Sequence, residues 1–459
     1  YFTLTTFTLL PFYPPTFLPS PVLLFLYNLG VALYGLVIWL LAPVRPKAAQ
    51  WIRGRRQWVP RLRAALARNP DPVLWMHCAS LGEFEQGRPV LEALRKRHGE
   101  RLRLLLTFFS PSGYSVRHNW PGADWVFYLP LDSPVSATRF IDIVQPTAAV
   151  FVKYEFWHYY LETLRRREVP TFLIAAALRP DQAFFRLWGG LFRRMLHSFT
   201  HIFPQNDATA DLLRSIGYDR VTVAGDPRFD RVRGTAVENR RLSLVDAFVS
   251  TGEPVLVVGS AWEQDMAALA PALHRHAAVL KVIVAPHEVD EAHVAAVERA
   301  LPPDVLTIRY SRATAAATAT PDERAVTPEL LAACRVLVID NVGMLSALYG
   351  YATVAYVGGA FGKGLHNVLE AAVFGAPVLF GPRIGRFPEA AALIKAGGAA
   401  SVASAEALDT QLTEWLTVGP ARLAAGAAAA AYVYTNAGAT ARILAGMAPW
   451  LPAAPADAA

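Results

Sequence analysis

The chain has 459 residues, 53% hydrophobic and 18% charged, with 44 Lys and Arg against 37 Asp and Glu and two cysteines. That length suits two or three domains with a large buried core and excludes a disordered chain, while Cys78 and Cys334 are too few for a disulfide scaffold or a Cys-rich zinc module and read as free thiols. The formal net charge of +7 points to an anionic partner: nucleic acid, a membrane surface or an acidic substrate.

Residues 1–21 carry Pro11, Pro14, Pro15, Pro19 and Pro21, which forbid a regular helix. Val22–Ala42 follows as an apolar run. As a helix it would span about 31 Å, roughly the hydrocarbon thickness of a bilayer. The first charged side chain is Arg45, and Lys47, Arg53, Arg55, Arg56, Arg61 and Arg63 follow with no acid before Asp71. A cleaved signal peptide carries its positive charge ahead of the apolar run. Here the charge lies behind it, so residues 22–43 read as a retained anchor helix with the body on the cytoplasmic side. A buried core helix, or one dipping into a single leaflet, fits the same composition.

Beyond the anchor, short apolar runs alternate with amphipathic stretches such as Gln86–Lys96 and Tyr159–Arg167. The runs Val73–Ala79, Leu102–Phe108, Ala148–Lys153, Thr171–Ala176, His201–Gln205 and Val221–Ala224 predict strands. Asp226–Arg241 is polar and charged and reads as a linker. The rhythm restarts with Val255–Gly259, Lys281–Ala285, Val305–Arg309, Val336–Asp340, Thr353–Gly358 and Pro377–Gly381. This pattern predicts an α/β chain of two Rossmann-like domains, residues 44–235 and 236–430, each with a parallel sheet and the pair enclosing a cleft. Residues 431–459 predict a C-terminal helix and a disordered tail, and Ala313–Thr320 a loop of low order. Ligands of such sheets bind beyond the carboxyl ends of the strands, and the chemistry-bearing residues cluster there.

Cys78-Ala79-Ser80-Leu81-Gly82-Glu83 follows the first strand. Ser80 and Glu83 have the spacing of a helix capping box. Glu83 at this strand-to-helix junction is also placed to act as a general base, whereas Cys78 stands where a nucleophile elbow needs Gly. Lys153-Tyr154-Glu155-Phe156-Trp157 follows another strand. Its aromatic neighbours make Glu155 partly buried, and a buried carboxylate needs a partner. In the second half, Gly259-Ser260-Ala261-Trp262-Glu263 reads either as an anion-binding turn or as a capped helix start, and Pro286-His287 ends the next strand. Gly358-Gly359-Ala360-Phe361-Gly362-Lys363-Gly364-Leu365-His366-Asn367-Val368-Leu369-Glu370 runs from strand through a glycine-rich loop towards a helix. Such a loop can close on a phosphate, Lys363 adds a cation, and Glu370 stands where a carboxylate can accept ribose hydroxyls. It is neither a Walker A loop nor a dinucleotide fingerprint.

These segments, with Gly225-Asp226-Pro227-Arg228-Phe229-Asp230 and Asp340-Asn341-Val342-Gly343-Met344-Leu345, occur in an order that resembles the 3-deoxy-D-manno-octulosonic acid (Kdo) transferases of lipopolysaccharide synthesis. The resemblance runs from about Tyr27 to Pro382. It implies a GT-B glycosyltransferase that moves Kdo from CMP-Kdo to a lipid A precursor, lipid IVA, with inversion, at the cytoplasmic face of the inner membrane. It implies Glu83 as general base, with Glu155 also needed on the acceptor side. Gly259 and Ser260 would lie near the phosphate, Pro286 and His287 would line the site, and Gly343 and Met344 would lie near the base. Asn367 and Glu370 would lie near phosphate and ribose.

The chain departs from the family pattern where His287-Glu288 replaces Arg-His, where Gly343-Met344-Leu345 replaces Gly-Glu-Leu, and where Ala176-Ala177-Leu178 replaces Asn-Ala-Arg. Arg179 is then a candidate phosphate contact from a shifted position, alongside Lys363 and Gly364. No Asp-x-Asp pair ends a strand, so the expected site needs no metal and no cofactor besides the donor. The partners expected are CMP-Kdo, the lipid A precursor and membrane lipids, with no nucleic acid. Another GT-B protein using a UDP-sugar, and a membrane-anchored nucleotide-binding scaffold without activity, remain as alternatives.

Overall fold

The computed structural model describes residues 21–238, 240–318, 326–385 and 387–453. They form two units. One comprises the described residues up to Arg228 and those from Gly438 onward, the other Phe229–Ala437.

The first unit holds β1 (Val73–Cys78), β2 (Arg103–Phe108), β3 (Trp125–Tyr128), β4 (Ala148–Val152), β5 (Thr171–Ala176) and β6 (His201–Pro204). They make one parallel sheet in the order β3-β2-β1-β4-β5-β6. Successive strand residues feed opposite cores. Val73, Trp75, Leu105, Ala149 and Phe151 pack on one face, and Leu74, Met76, Leu104, Leu106 and Val150 on the other. Burial on both faces is why these strands read as unbroken apolar runs. The strand order reverses between β1 and β4, and such a switch point is where ligands of open α/β sheets bind.

The second unit repeats the plan with β7 (Val255–Ala261), β8 (Lys281–Pro286), β9 (Thr307–Arg309), β10 (Val336–Val338), β11 (Val354–Val357), β12 (Val378–Phe380) and β13 (Ala399–Ser401). The order is β13-β12-β11-β7-β8-β10-β9, again parallel. Its switch point lies between β7 and β11.

Several expectations need correction. Residues 226–241 are not a linker: Pro227–Glu238 is a helix. Its proline suits a first-turn position, and Phe229 and Val232 enter the second core. The 235/236 boundary therefore falls inside a helix, and 430/431 falls inside another, Gly419–Asn436. Val221–Ala224 is no strand; it gives one bridge, Val221 to Ile202, before Gly225 turns at φ 94°. The edge strands β3 and β13 were not expected, being only four and three residues long. Residues 313–318 belong to a helix, Tyr310–Thr318, as their alanines favour. Residues 319–320, the proline-rich segment before Pro21 and the tail beyond residue 453 lie outside the described residues.

The apolar run forms the helix Pro21–Leu41, long and apolar enough to cross a membrane. One stripe of it docks on the first unit. The Tyr27 hydroxyl donates to the Asp132 carboxylate at 2.5 Å and accepts from the His158 N–H at 3.2 Å. The Tyr159 hydroxyl donates to the Asn28 side-chain oxygen at 2.7 Å, and Tyr34 packs on Trp51 and Phe109. The opposite face leaves Val22, Phe25, Leu29, Leu33, Leu36, Val37 and Leu40 exposed.

Behind this helix lies Pro46–Arg55, whose Arg55 is fixed by its surroundings. The guanidinium lies 3.8 Å from the Trp51 ring centroid and donates to the Leu129 and Phe109 carbonyls, both at 2.8 Å. Burial pulls its pKa down to about 9. Arg55→Ala should therefore cost about 3 kcal/mol, since buried carbonyls lose their donors. Arg53→Ala, at an exposed position, should stay within about 0.5 kcal/mol. Thermal unfolding of both variants checks the difference.

Candidate active site

At the first switch point the helix Leu81–His98 starts on a complete capping box. Ser80 has extended backbone, and its hydroxyl oxygen accepts from the Glu83 N–H at 3.5 Å. Glu83 Oε2 accepts in return from the N–H groups of Ser80 at 3.2 Å and Ala79 at 2.5 Å. Among the described residues Oε1 makes no hydrogen bond. Burial and then the nearby Glu155 carboxylate push the Glu83 carboxyl up to about 8, against the pull of the two backbone donors and Lys153. The capping and general-base readings thus use different oxygens of one side chain.

Glu155 follows β4, the strand paired with β1, and is only 7% exposed. Its Oε2 accepts from Trp157 Nε1 at 2.6 Å and meets His77 Nε2 at 3.0 Å. His77, on β1, is fully buried. Its Nδ1 lies 2.9 Å from the hydroxyl of Thr107 on β2, which also accepts from Trp75 Nε1 at 2.8 Å. In the neutral tautomer that satisfies both contacts, Nε2–H donates to Glu155 and the Thr107 hydroxyl donates to Nδ1. Lys153, just past β4, is held at φ 67°, unusual for a residue with a Cβ and concentrated at functional sites. Arg179 is not brought into this group by any hydrogen bond or ion pair described. It lies exposed after β5, paired with Asp181 at 3.3 Å.

At the second switch point, β7 ends in a register shift between Gly259 and Ala261, with Ser260 at φ 53°. A Cβ on Gly259 would lie 2.0 Å from the Tyr349 hydroxyl, so only glycine fits. Gly359, at φ 96°, folds back so that a Cβ would meet the Gly364 carbonyl at 2.2 Å. Asp265 ties these turns together. It is fully buried, and its carboxylate accepts from the Trp262 N–H at 3.0 Å, the Gly359 N–H at 2.8 Å and the Tyr356 hydroxyl at 2.9 Å. Burial raises its pKa against these donors.

Above the strand ends three rings stack. Trp262 lies parallel to His287 at 4.5 Å, and His287 to His366 at 4.4 Å. Lys363 Nζ sits 3.8 Å over the Trp262 ring, a cation–π arrangement. Burial, and then His287, bring His366 down to about 4, so it is neutral near pH 7. Pro286 ends β8, and the next N–H, of His287, donates to the Ala261 carbonyl at 3.0 Å. Nearby, Glu370 accepts from the Asn367 side-chain amide at 2.9 Å and from the Ser346 hydroxyl at 3.0 Å. Gly343, at φ 90°, and Met344 lead into the short helix Leu345–Leu348 that carries Ser346.

The structure therefore brings Glu83 with Glu155, and gathers Gly259, Ser260, Pro286, His287, Lys363 and Gly364 around the ends of β7, β8 and β11. Asn367 and Glu370 form a second group that Gly343 and Met344 adjoin through Ser346. Sequence reasoning missed His77, Thr107 and Asp265. Asp265 carried a signal, standing three residues beyond Trp262 at a helix start. His77 carried none, lying inside an apolar strand. On the surface beside Trp262, the ligand atoms of Glu288, Asp290 and His293 lie within 4.8 Å of one another.

Two parallel sheets, each with its polar residues at the switch point, define a glycosyltransferase fold of the GT-B kind. The UDP-GlcNAc 2-epimerase of Neisseria meningitidis, solved with UDP-GlcNAc bound, shares that fold at a TM-score of 0.55 and 14% identity, covering 82% of this chain and 100% of that one. The family model of 3-deoxy-D-manno-octulosonic-acid transferases matches residues 53–231. The transferase of that name from Bordetella pertussis is 30% identical over 454 residues, covering 92% of this chain and 100% of its own. That from Aquifex aeolicus is 26% identical over 355 residues, covering 76% and 88%. The chain belongs to the 3-deoxy-D-manno-octulosonic acid transferase family, and is a glycosyltransferase adding Kdo.

Asp265→Ala leaves two buried N–H groups and a buried hydroxyl without their acceptor. It should destabilise the second unit by about 3 kcal/mol, measurable by thermal unfolding. Unchanged stability would remove Asp265 from this structural role.

Proposed function

We propose that the protein transfers Kdo from CMP-Kdo to a lipid A precursor, lipid IVA, with inversion. The observation that carries the reading is the pair of carboxylates at the first switch point, one of them with a raised pKa and a free oxygen. In this reaction Glu83 Oε1 takes the proton of an acceptor hydroxyl. The hydroxyl oxygen attacks the anomeric carbon of Kdo, and the bond to the CMP phosphate breaks, its electron pair leaving with the phosphate. A base with a pKa near 8 accepts a proton more readily than an ordinary carboxylate near 4.3. Glu155, held by His77 and Trp157, is the neighbouring carboxylate that, after burial, raises the Glu83 carboxyl.

On the donor side, Gly259 and Ser260 present the start of the helix Glu263–Arg275 to the phosphate. Lys363 and Gly364 add a cation and a close-approaching backbone. His287 lines the pocket with Pro286, Gly343 and Met344 lie near the base, and Asn367 and Glu370 address phosphate and ribose. Arg179 remains a candidate contact to an acceptor phosphate. The exposed apolar face of Pro21–Leu41 and the arginines after it suit the cytoplasmic face of an anionic inner membrane, where each near-surface cation contributes about 1 kcal/mol.

CMP release from CMP-Kdo in the presence of lipid IVA tests the reading. Glu83→Gln keeps an acceptor oxygen for the helix cap, so its melting temperature should stay close to wild type. Its turnover should fall by about 100-fold or more. Glu83 must be ionised to act, so the wild-type rate should climb with pH up to about 8 and then level off, and this limb should vanish in Glu83→Gln. Turnover with UDP-sugars in place of CMP-Kdo would replace the donor, and full turnover by Glu83→Gln would move the base elsewhere.

The reading assigns no metal ion to the step, since the Gly259-Ser260 turn and Lys363 meet the leaving phosphate. Activity should survive EDTA. Loss in EDTA, restored by a divalent cation, would instead bring Glu288, Asp290 and His293 into the reaction.

A further inference from the structure

This inference rests on the proposed lipid acceptor and adds a site for part of it. Between the docked stripe of Pro21–Leu41 and the loops that follow β2, β3 and β4 lies a cavity of about 340 Å³. Leu26, Gly30, Tyr34, Phe109, Leu131 and Trp157 line it, and no charged side chain does. Its size is within the range of pockets that hold small apolar ligands.

Two features say what fits there. The helix wall is continuous with the face on which Leu26, Leu29 and Leu33 are exposed among the described residues, an apolar surface suited to lipid. The opposite wall is Trp157, packed on Phe109 at 4.6 Å between ring centroids. The N–H of that same indole donates to Glu155 at 2.6 Å. One ring thus closes an apolar cavity with its body and holds a carboxylate of the reaction site with its edge.

We propose that the cavity receives an acyl chain of the acceptor, which leaves the bilayer along Gly30 and comes to rest on Trp157. An ordinary bilayer phospholipid would be held equally well by the greasy walls, but nothing would then require the cavity to adjoin Glu155. With an acceptor chain in place, the sugar hydroxyl attached to it is confined near the two carboxylates, which shortens its search for the reactive pose.

Gly30 makes the test clean. It is exposed, takes no part in the reaction, and a Cβ there meets no atom within 4 Å. Gly30→Ala, Gly30→Leu and Gly30→Phe should then fill the cavity by steps without clashing at the Cβ. The full chain is assayed in detergent with CMP-Kdo, against tetra-acylated lipid IVA and against the same acceptor stripped of all its acyl chains. Gly30→Phe should raise KM for the acylated acceptor about tenfold or more, with kcat and the donor KM unchanged. Kinetics with the deacylated acceptor should match wild type. Gly30→Leu should fall between, and supplies the answer should the Phe variant not fold. Equal losses with both acceptors would overturn the proposal, since the substitution would then act through Trp157 on Glu155. Unchanged kinetics with both would also overturn it, leaving the cavity to bilayer lipid. Failure of the wild type with both acceptors would instead strike at the proposed reaction, before any variant is compared.

Discussion

A carboxylate shut away from water must be met by donors or give up its charge, and each unit is arranged around one. In the first unit Glu155 draws in Trp157 and His77, and through His77 the Thr107 hydroxyl and the Trp75 indole. That chain stitches β1 and β2 to the loop after β4, across the place where the sheet reverses its order. In the second unit Asp265 does the same for β7, β11 and the glycine-rich loop. Each network fixes the ends of strands that neighbour the switch point, so the loops beyond are held before any ligand arrives. Preorganisation of this kind is where enzymes obtain much of their electrostatic effect.

Glu83 shows how one side chain can be fixed by a helix cap and still keep one carboxylate oxygen outside it. As the third residue of a helix it satisfies backbone donors that would otherwise be orphaned, and this fixes its position. The second oxygen is left over. Burial and the neighbouring negative charge then raise the affinity of the carboxyl for a proton. A helix cap alone would gain from a low pKa, because the ionised form accepts hydrogen bonds more strongly. The raised value is thus a cost to the fold, set by burial and by the neighbouring carboxylate.

Much of this was legible from residue order alone. Strands buried on both faces announce themselves as apolar runs, so the central strands of both sheets were readable nearly to the residue. The edge strands β3 and β13 were not, since Trp125–Tyr128 and Ala399–Ser401 are short and half-buried or small. The helix Pro227–Glu238 looked like a linker because its solvent face is charged, and only Phe229 and Val232 face the core. Of the site, the residues at strand ends were visible because turn and cap chemistry is local. His77 and Thr107 were invisible because their meaning lies in strand pairing: nothing in the sequence says that positions thirty residues apart lie opposite one another. The same holds for the docked stripe of Pro21–Leu41. Its length and apolarity were plain, but Tyr27 and Tyr34 acquire partners only when distant loops fold beside them.

The chain leaves the first unit at Arg228 and returns to it at Gly438. On that return the helix Ala439–Met447 places Ile443 and Met447, both fully buried, against β-sheet residues of the first unit's core, and Arg442 donates to the Ala224 carbonyl at 2.8 Å. During synthesis this has a consequence for timing. The first unit's residues up to Arg228 emerge early, yet the core cannot close until the whole of Phe229–Ala437 has been made. At about 5–20 residues per second that interval is on the order of ten to forty seconds. Through it, a patch of apolar surface on the nascent first unit stays open while the apolar segment at its start is already available to lipid. Early capture by the membrane surface would keep such an unfinished intermediate apart from its copies, and the polypeptide would mature in place as its last helix arrives.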